Sequence, residues 1–226
     1  MPIRQTSTPL PKHWPKDIIY IDTLHIPSPL SRELLHSTAP FPPSVSLPII
    51  PLPSPPSPSH LVQIKPINDP THPAYTQHGL FAARALAPSS FIILYLGTLH
   101  SSTTTDPTSN YDLSLDRELD LSIDASKRGN EARFINDYRG IRPEGPNAEF
   151  KDCLLEVTKG KKWERRIGVF VLSQGRAKKD GAKRARGIAK GEEIVVSYGK
   201  GFWRARLAEE TSQSTSNDDV TEDEHG

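Results

Sequence analysis

The chain has 226 residues with 28 basic and 27 acidic side chains, so its net charge implies no general attraction to nucleic acid or to a membrane surface. Hydrophobic residues make up 35% and mean hydropathy is −0.51, lean for a chain folded end to end, which predicts one folded domain with extended flanks. The single cysteine, Cys153, excludes an internal disulfide and a multi-cysteine zinc site, and no run reaches the ~18 apolar residues of a membrane span. Pro2, Pro9, Pro11 and Pro15 interrupt any apolar leader, so the expectation is a soluble protein of a reducing compartment.

Residues 1–60 read as a proline-rich, largely extended region. Of 22 prolines, all but Pro88, Pro107, Pro143 and Pro146 lie at or before Pro73. Ile18 to Ile26 reads as a strand or as a short docking segment. Ser31 is placed to cap one helical turn running to His36. Pro40 to Pro58 cannot sustain backbone ladders, because proline lacks the donor and fixes φ. It reads as a polyproline-like spacer or, alternatively, as a ligand for SH3 or WW domains.

From about Leu61 the texture turns to short strands. Gly79 to Leu86 and Phe91 to Gly97 are β-type runs separated by a turn at Pro88. Ser101 to Asn110 is a loop. The stretches from Tyr111 and from Leu119 alternate apolar and polar residues, the period of half-buried strands. Gly129 to Phe150 reads as a brief helical turn ending in Arg-Phe-Ile-Asn, then a polar loop, then Pro-Asn and a strand. The runs Cys153 to Val157 and Arg166 to Leu172 form a hairpin around a basic turn, Lys159 to Glu164. A basic insertion, 173–187, carries Arg176, Lys178, Lys179, Lys183, Arg184 and Arg186. Gly191 to Trp203 is a Gly-Glu-Glu turn, a β-branched strand, a tyrosine and an aromatic pair. The folded domain is expected at 61–207. Residues 208–226 are acidic, aperiodic and expected to be disordered.

Familiar catalytic sets are missing. All histidines except His225 lie at or before His100, so the segments around Asn136 and Tyr198 supply no Ser-His-Asp arrangement. No GxSxG elbow, phosphate loop or HExxH occurs. His72 and His78 are close in sequence, but two histidines fall short of the three or four ligands zinc takes.

The ordered series resembles SET-domain protein lysine methyltransferases. Gly79-Leu80-Phe81-Ala resembles the family's opening Gly-Leu-Phe-Ala segment. Phe91 to Gly97 resembles the strand ending in Tyr-x-Gly. Tyr111 matches the tyrosine near the methyl donor, and Ile123-Asp-Ala with Gly129-Asn matches the approach to the first signature. Arg133-Phe134-Ile-Asn136 matches Arg-Phe-Ile-Asn, and Tyr198 falls on the catalytic tyrosine. The resemblance covers about 130 residues, His78 to Trp203.

It implies a mainly β SET fold (β-clip) of several small sheets, short helices and a C-terminal pseudoknot. It further implies S-adenosylmethionine as cofactor, held by Gly79, Leu80, Phe81, Tyr111, Arg133, Phe134, Asn136, Asp137 and Trp203, with Tyr198 and Tyr111 catalytic and no metal. The chain departs from the pattern in three places. Gln77 replaces the first opening glycine, Asp137 stands where the family has histidine, and Val196 stands where Phe or Tyr is frequent. A carboxylate at 137 is desolvated unless it finds a donor. The cysteine-rich modules that flank many relatives are absent.

A tyrosine suits this chemistry. The attacking lysine amine must be neutral although its ordinary pKa is ~10.4, and an apolar channel beside a sulfonium cation favours the neutral form. The implied function is protein-lysine N-methylation, with histones as a candidate substrate; the alternative is an inactive SET-fold module that binds chromatin or another protein. A nuclear location is expected. The basic residues 176–186 read as a solvated loop, or as a contact for nucleosomal DNA or a nuclear import signal.

Overall fold

The computed structural model describes residues 9–37, 47–173 and 186–199. Proline, turn residues and short β-branched runs keep the strands between two and eleven residues long. In chain order they are β1 (Ile19–Tyr20), β2 (His36–Ser37), β3 (Ile49–Ile50), β4 (Val62–Pro66), β5 (His78–Ala82), β6 (Phe91–Leu94) and β7 (Thr98–His100). There follow β8 (Asp112–Asp116), β9 (Leu121–Asp124), β10 (Arg128–Gly129), β11 (Asn136–Asp137), β12 (Ala148–Thr158), β13 (Lys162–Val171) and β14 (Val195–Val196). Among the described residues, 3-10 turns at Arg32–Leu35 and Glu131–Phe134 stand where brief helical turns were expected, and a further one, Ser102–Thr104, lies within the expected loop.

The predicted hairpin is the central element, longer at both arms than the apolar runs suggest. β12 and β13 pair antiparallel from Ala148↔Val171 to Thr158↔Lys162. β13 is also bordered by β2 at Trp163–Glu164 and by β6 at Phe91–Leu94, so from Glu164 onward it is buried almost continuously. Smaller sheets surround it: β4-β5, β7-β9-β8, and the parallel pairs β1-β10 and β11-β14. The two runs at Gly79 and Phe91 therefore do not pair with each other. β5 joins β4, and β6 joins β13. This is a mainly β, SET-like architecture of several small sheets.

The N-terminal region is tied to this body. β1 pairs with Arg128–Gly129, β2 with β13, and β3, inside the stretch read as a spacer, runs parallel to Leu154–Leu155. The two isoleucines explain the difference, since Ile50 is buried against the sheet while flanking prolines limit the pairing to two residues. Ser31 caps its turn as predicted, its hydroxyl accepting from the Glu33 amide. The buried Glu131 carboxylate accepts from the Ser59 amide and the Tyr20 hydroxyl, binding residues far apart in the chain. On β13 the buried Glu164 and Arg166 form an ion pair, and Arg32 adds a contact to Glu164 at 3.0 Å.

The C-terminal signature runs between two elements. The Gly191 amide donates to Ala82 and the Ile194 amide to Leu80, along β5. From the very next residue β14 pairs parallel with β11, Asn136↔Val195 and Asp137↔Val196. Gly191 takes a left-handed φ of +83°, which its Gly-Glu-Glu turn requires. Ile194, Val195 and Val196 are completely buried.

The chain divides into two units, Met1–Val196 and Ser197–Gly226. In the second, the Ser197 hydroxyl accepts from the Gly199 amide, Gly199 has φ +87° and Tyr198 is half-buried. Phe202, Trp203, most of the basic insertion and the acidic tail lie outside the described residues.

Candidate functional site

Asn136 is the meeting point of three segments. It begins β11, separated by Ile135 alone from the 3-10 turn Glu131–Phe134. Asn130, buried ahead of that turn, anchors it to the β6 region: its amide donates to Leu94 O and its carbonyl accepts from the Leu96 amide. The Asn136 amide nitrogen donates to His78 O at 3.3 Å and to Glu193 Oε1 at 2.9 Å. One partner lies on β5 and the other in the Gly-Glu-Glu turn.

Gly79 belongs to the same cluster for a steric reason. A Cβ there would sit 2.6 Å from Glu193 Oε1, so the bare backbone makes room for the carboxylate that Asn136 uses. Leu80 is buried in the core and Phe81 is half-buried, with the Lys65 ammonium 4.7 Å from its ring centre. Gln77 lies directly ahead of β5, which pairs residue for residue with β4.

Asn147 staples the C-terminal signature in place. Its Oδ1 accepts from the Val195 amide at 2.9 Å, and its Nδ2 donates to Glu193 O at 2.8 Å and Glu192 Oε1 at 3.2 Å. Its own backbone amide donates to Val195 O.

Arg133 organises the aromatic side. Its guanidinium lies 4.4 Å from the Tyr111 ring centre and 5.1 Å from that of Phe134, and it donates to the carbonyls of Ala125 and Ser126. Tyr111 is further fixed by its neighbours, the Tyr95 hydroxyl donating to Tyr111 O at 2.6 Å. Phe134 makes edge contacts with His78 at 5.9 Å and with Trp14 at 5.6 Å. Burial, with His13 nearby, lowers the His78 imidazole below its ordinary range.

Asp137 finds the donors its burial requires. The Arg139 amide and guanidinium donate to its carboxylate at 2.9–3.0 Å. The buried carboxylate thus has a local partner two residues away.

The structure brings Gly79, Leu80, Phe81, Asn136 and Asp137 into one paired layer and links Arg133, Phe134 and Tyr111 through one guanidinium. Trp203 lies outside the described residues. Tyr198 belongs to the second unit. Sequence reasoning missed Glu193, His72, Arg139 and Trp14. For Arg139 a signal existed in its spacing from Asp137; nothing in the local pattern marks Trp14. A separate groove of about 890 Å³, bounded by Leu34, Leu115, Leu119, Leu154 and Arg165 among others, includes none of the predicted site residues. Among the described residues no cluster of three or more His, Cys, Asp or Glu is arranged to hold a metal.

No protein-family model matches the chain, and no curated protein matches it. Solved structures do. The chain is similar to the Chaetomium thermophilum Polycomb Repressive Complex 2, as a humanized mutant bound to the inhibitor GSK126, at 22% identity and a TM-score of 0.43, over 61% of this chain and 15% of that one. It is similar to the same complex in an autoinhibited conformation bound to S-adenosylmethionine, at 22% identity and a TM-score of 0.44, over 68% and 17%. An active polycomb repressive complex 2 in the basal state matches at 24% identity and a TM-score of 0.40, over 54% and 14%. The chain thus spans about a sixth of the length of these relatives.

Proposed function

We propose that the chain is an S-adenosylmethionine-dependent protein-lysine N-methyltransferase. The observation that supports this best is the convergence at Asn136 of the first signature segment, the Gly79 strand and the Gly-Glu-Glu turn. Both amide protons of Asn136 are committed inside the protein, to His78 O and Glu193 Oε1, which leaves Oδ1 as an acceptor. An acceptor held this way suits the α-ammonium at the amino-acid end of the cofactor. The residues present therefore fit the group, which when bound supplies a methyl activated on a sulfonium.

In this reading Asn136 and the β5 backbone bind, while Phe134, Tyr111 and the Arg133 guanidinium form a braced wall. The Tyr198 hydroxyl orients the lysine amine. Holding amine and methyl in line contributes on the order of 7–11 kcal/mol, and an apolar channel keeps the amine neutral. The substrate is a protein lysine, a histone tail being one candidate. A nuclear location and a nucleosomal DNA contact through residues 176–186 extend the proposal.

Calorimetric titration with S-adenosylmethionine tests it. Wild type is expected to bind and Asn136→Ala to lose binding; methyl transfer to a histone mixture is then expected from wild type and not from Tyr198→Phe. No binding by wild type up to millimolar cofactor refutes the reading.

A further inference from the structure

A histidine with no place in the signature motifs stands behind Asn136. His72 lies in the loop between β4 and β5, which folds over on itself through Ile67 N to Gln77 O and Thr76 N to Ile67 O. Its Nδ1 accepts from the Ala74 amide at 3.0 Å, so in the neutral ring Nδ1 carries no proton and Nε2 does. That Nε2 is 3.0 Å from Glu193 Oε2 and donates to it. The other carboxylate oxygen, Oε1, accepts from Asn136. Both side chains of the His72–Glu193 pair are only 10% exposed.

We infer that His72 and Glu193 are positioning residues that set the orientation of the Asn136 amide. The geometry makes the chain of donors directional. The Ala74 amide fixes the tautomer of His72, His72 fixes the rotamer of Glu193, and Glu193 accepts only the NH₂ end of Asn136. A flipped amide would set two acceptor oxygens against each other, Asn136 Oδ1 against Glu193 Oε1, and would lose the bond to His78 O as well. Gly79 is the steric counterpart of the arrangement, because a Cβ there would lie 2.6 Å from Glu193 Oε1 and the carboxylate would have to shift from the position it shares with Asn136. The outcome is one acceptor, Oδ1, held for a positively charged donor, with a carboxylate directly behind it. This selects an ammonium group over a carboxylate at that point.

The inference rests on the cofactor reading above, and its test separates the two. Wild type, His72→Leu, His72→Gln and Glu193→Gln are titrated with S-adenosylhomocysteine, which carries the amino-acid end, and with methylthioadenosine, which lacks it. Thermal melts of each variant accompany the titrations. His72→Leu and Glu193→Gln are expected to weaken S-adenosylhomocysteine binding about tenfold, the scale of one charge-assisted hydrogen bond. Methylthioadenosine binding should stay unchanged, and His72→Gln, which retains a donor, should recover much of the loss. Unchanged S-adenosylhomocysteine affinity in His72→Leu overturns the inference. So does a parallel loss for both ligands, which marks a purely structural role. If His72→Leu fails to fold, Glu193→Gln and His72→Gln carry the same comparison. Wild type binding neither ligand counts instead against the cofactor reading itself.

Discussion

Replacing Asn147 with alanine should loosen the C-terminal signature more than any other single change to a polar side chain near it. The side chain is 6% exposed and serves three partners: the Val195 amide, Glu193 O and Glu192 Oε1. Truncation leaves the buried Val195 N–H without an acceptor and Glu193 O without its donor. Each unsatisfied buried group costs about 1–3 kcal/mol, and the third contact, to a more exposed carboxylate, costs less. The expected loss is about 2–6 kcal/mol, a large share of the roughly 5–15 kcal/mol that stabilises a domain. Urea unfolding followed by tryptophan fluorescence measures it. Asn147→Asp is the internal control: it keeps the acceptor for Val195 but turns an oxygen toward Glu193 O and Glu192, so it should recover little. A loss under about 1 kcal/mol for the alanine variant, or near-full recovery by aspartate, would refute the staple.

Arg139→Met should destabilise the fold by about 1–3 kcal/mol by weakening the support of a buried carboxylate, and adding Asp137→Asn should restore part of that; a double-mutant cycle without coupling would contradict the pairing. Cys153 is fully buried and its thiol is pushed up to about 12 by desolvation. A disulfide reagent at pH 8 should therefore label native protein only at the rate of unfolding, and rapid stoichiometric labelling would count against the core as described. Burial alone would lower the His100 imidazole, but the Ser101 carbonyl and the Asp112 carboxylate, 3.0 Å from Nε2, outweigh it and raise the value above normal. Because the folded value is the higher one, this stabilisation is complete below about 6.5 and is lost as pH rises through the raised folded value. Asp112→Asn should flatten that dependence in unfolding curves taken from pH 5 to 9.

What was legible in the chain depended on whether a residue's partners lay nearby in sequence. The alternation from Tyr111 to Asp124 gave β8 and β9, the Ser31 cap gave its turn, and the apolar runs gave the β12–β13 hairpin, all local patterns. The juxtaposition of Asn136 with the Gly-Glu-Glu segment was legible only through family resemblance, because two-residue strands carry no periodicity. β3 was hidden by its prolines, whose local preference for extended backbone masks whether isoleucines between them find a sheet. His72 and Trp14 were illegible for a different reason. Each acts through one long-range contact, 121 residues away for His72 and about as far for Trp14, and no local rule signals such a partner.

The path of the C-terminal signature also dictates when the fold can close. Residues 191–196 bridge β5 and β11, elements separated from them by more than a hundred and by about sixty positions, so the layer around Asn136 stays open until they arrive. Pairings of such sequence separation delay folding to the millisecond-to-second range typical of non-local β topologies. The Asn147 staple then belongs to a late event. Its removal should speed unfolding in stopped-flow traces and leave the refolding rate nearly untouched. The layer that gathers the candidate site would thus be among the last parts of the molecule to assemble and among the first to open.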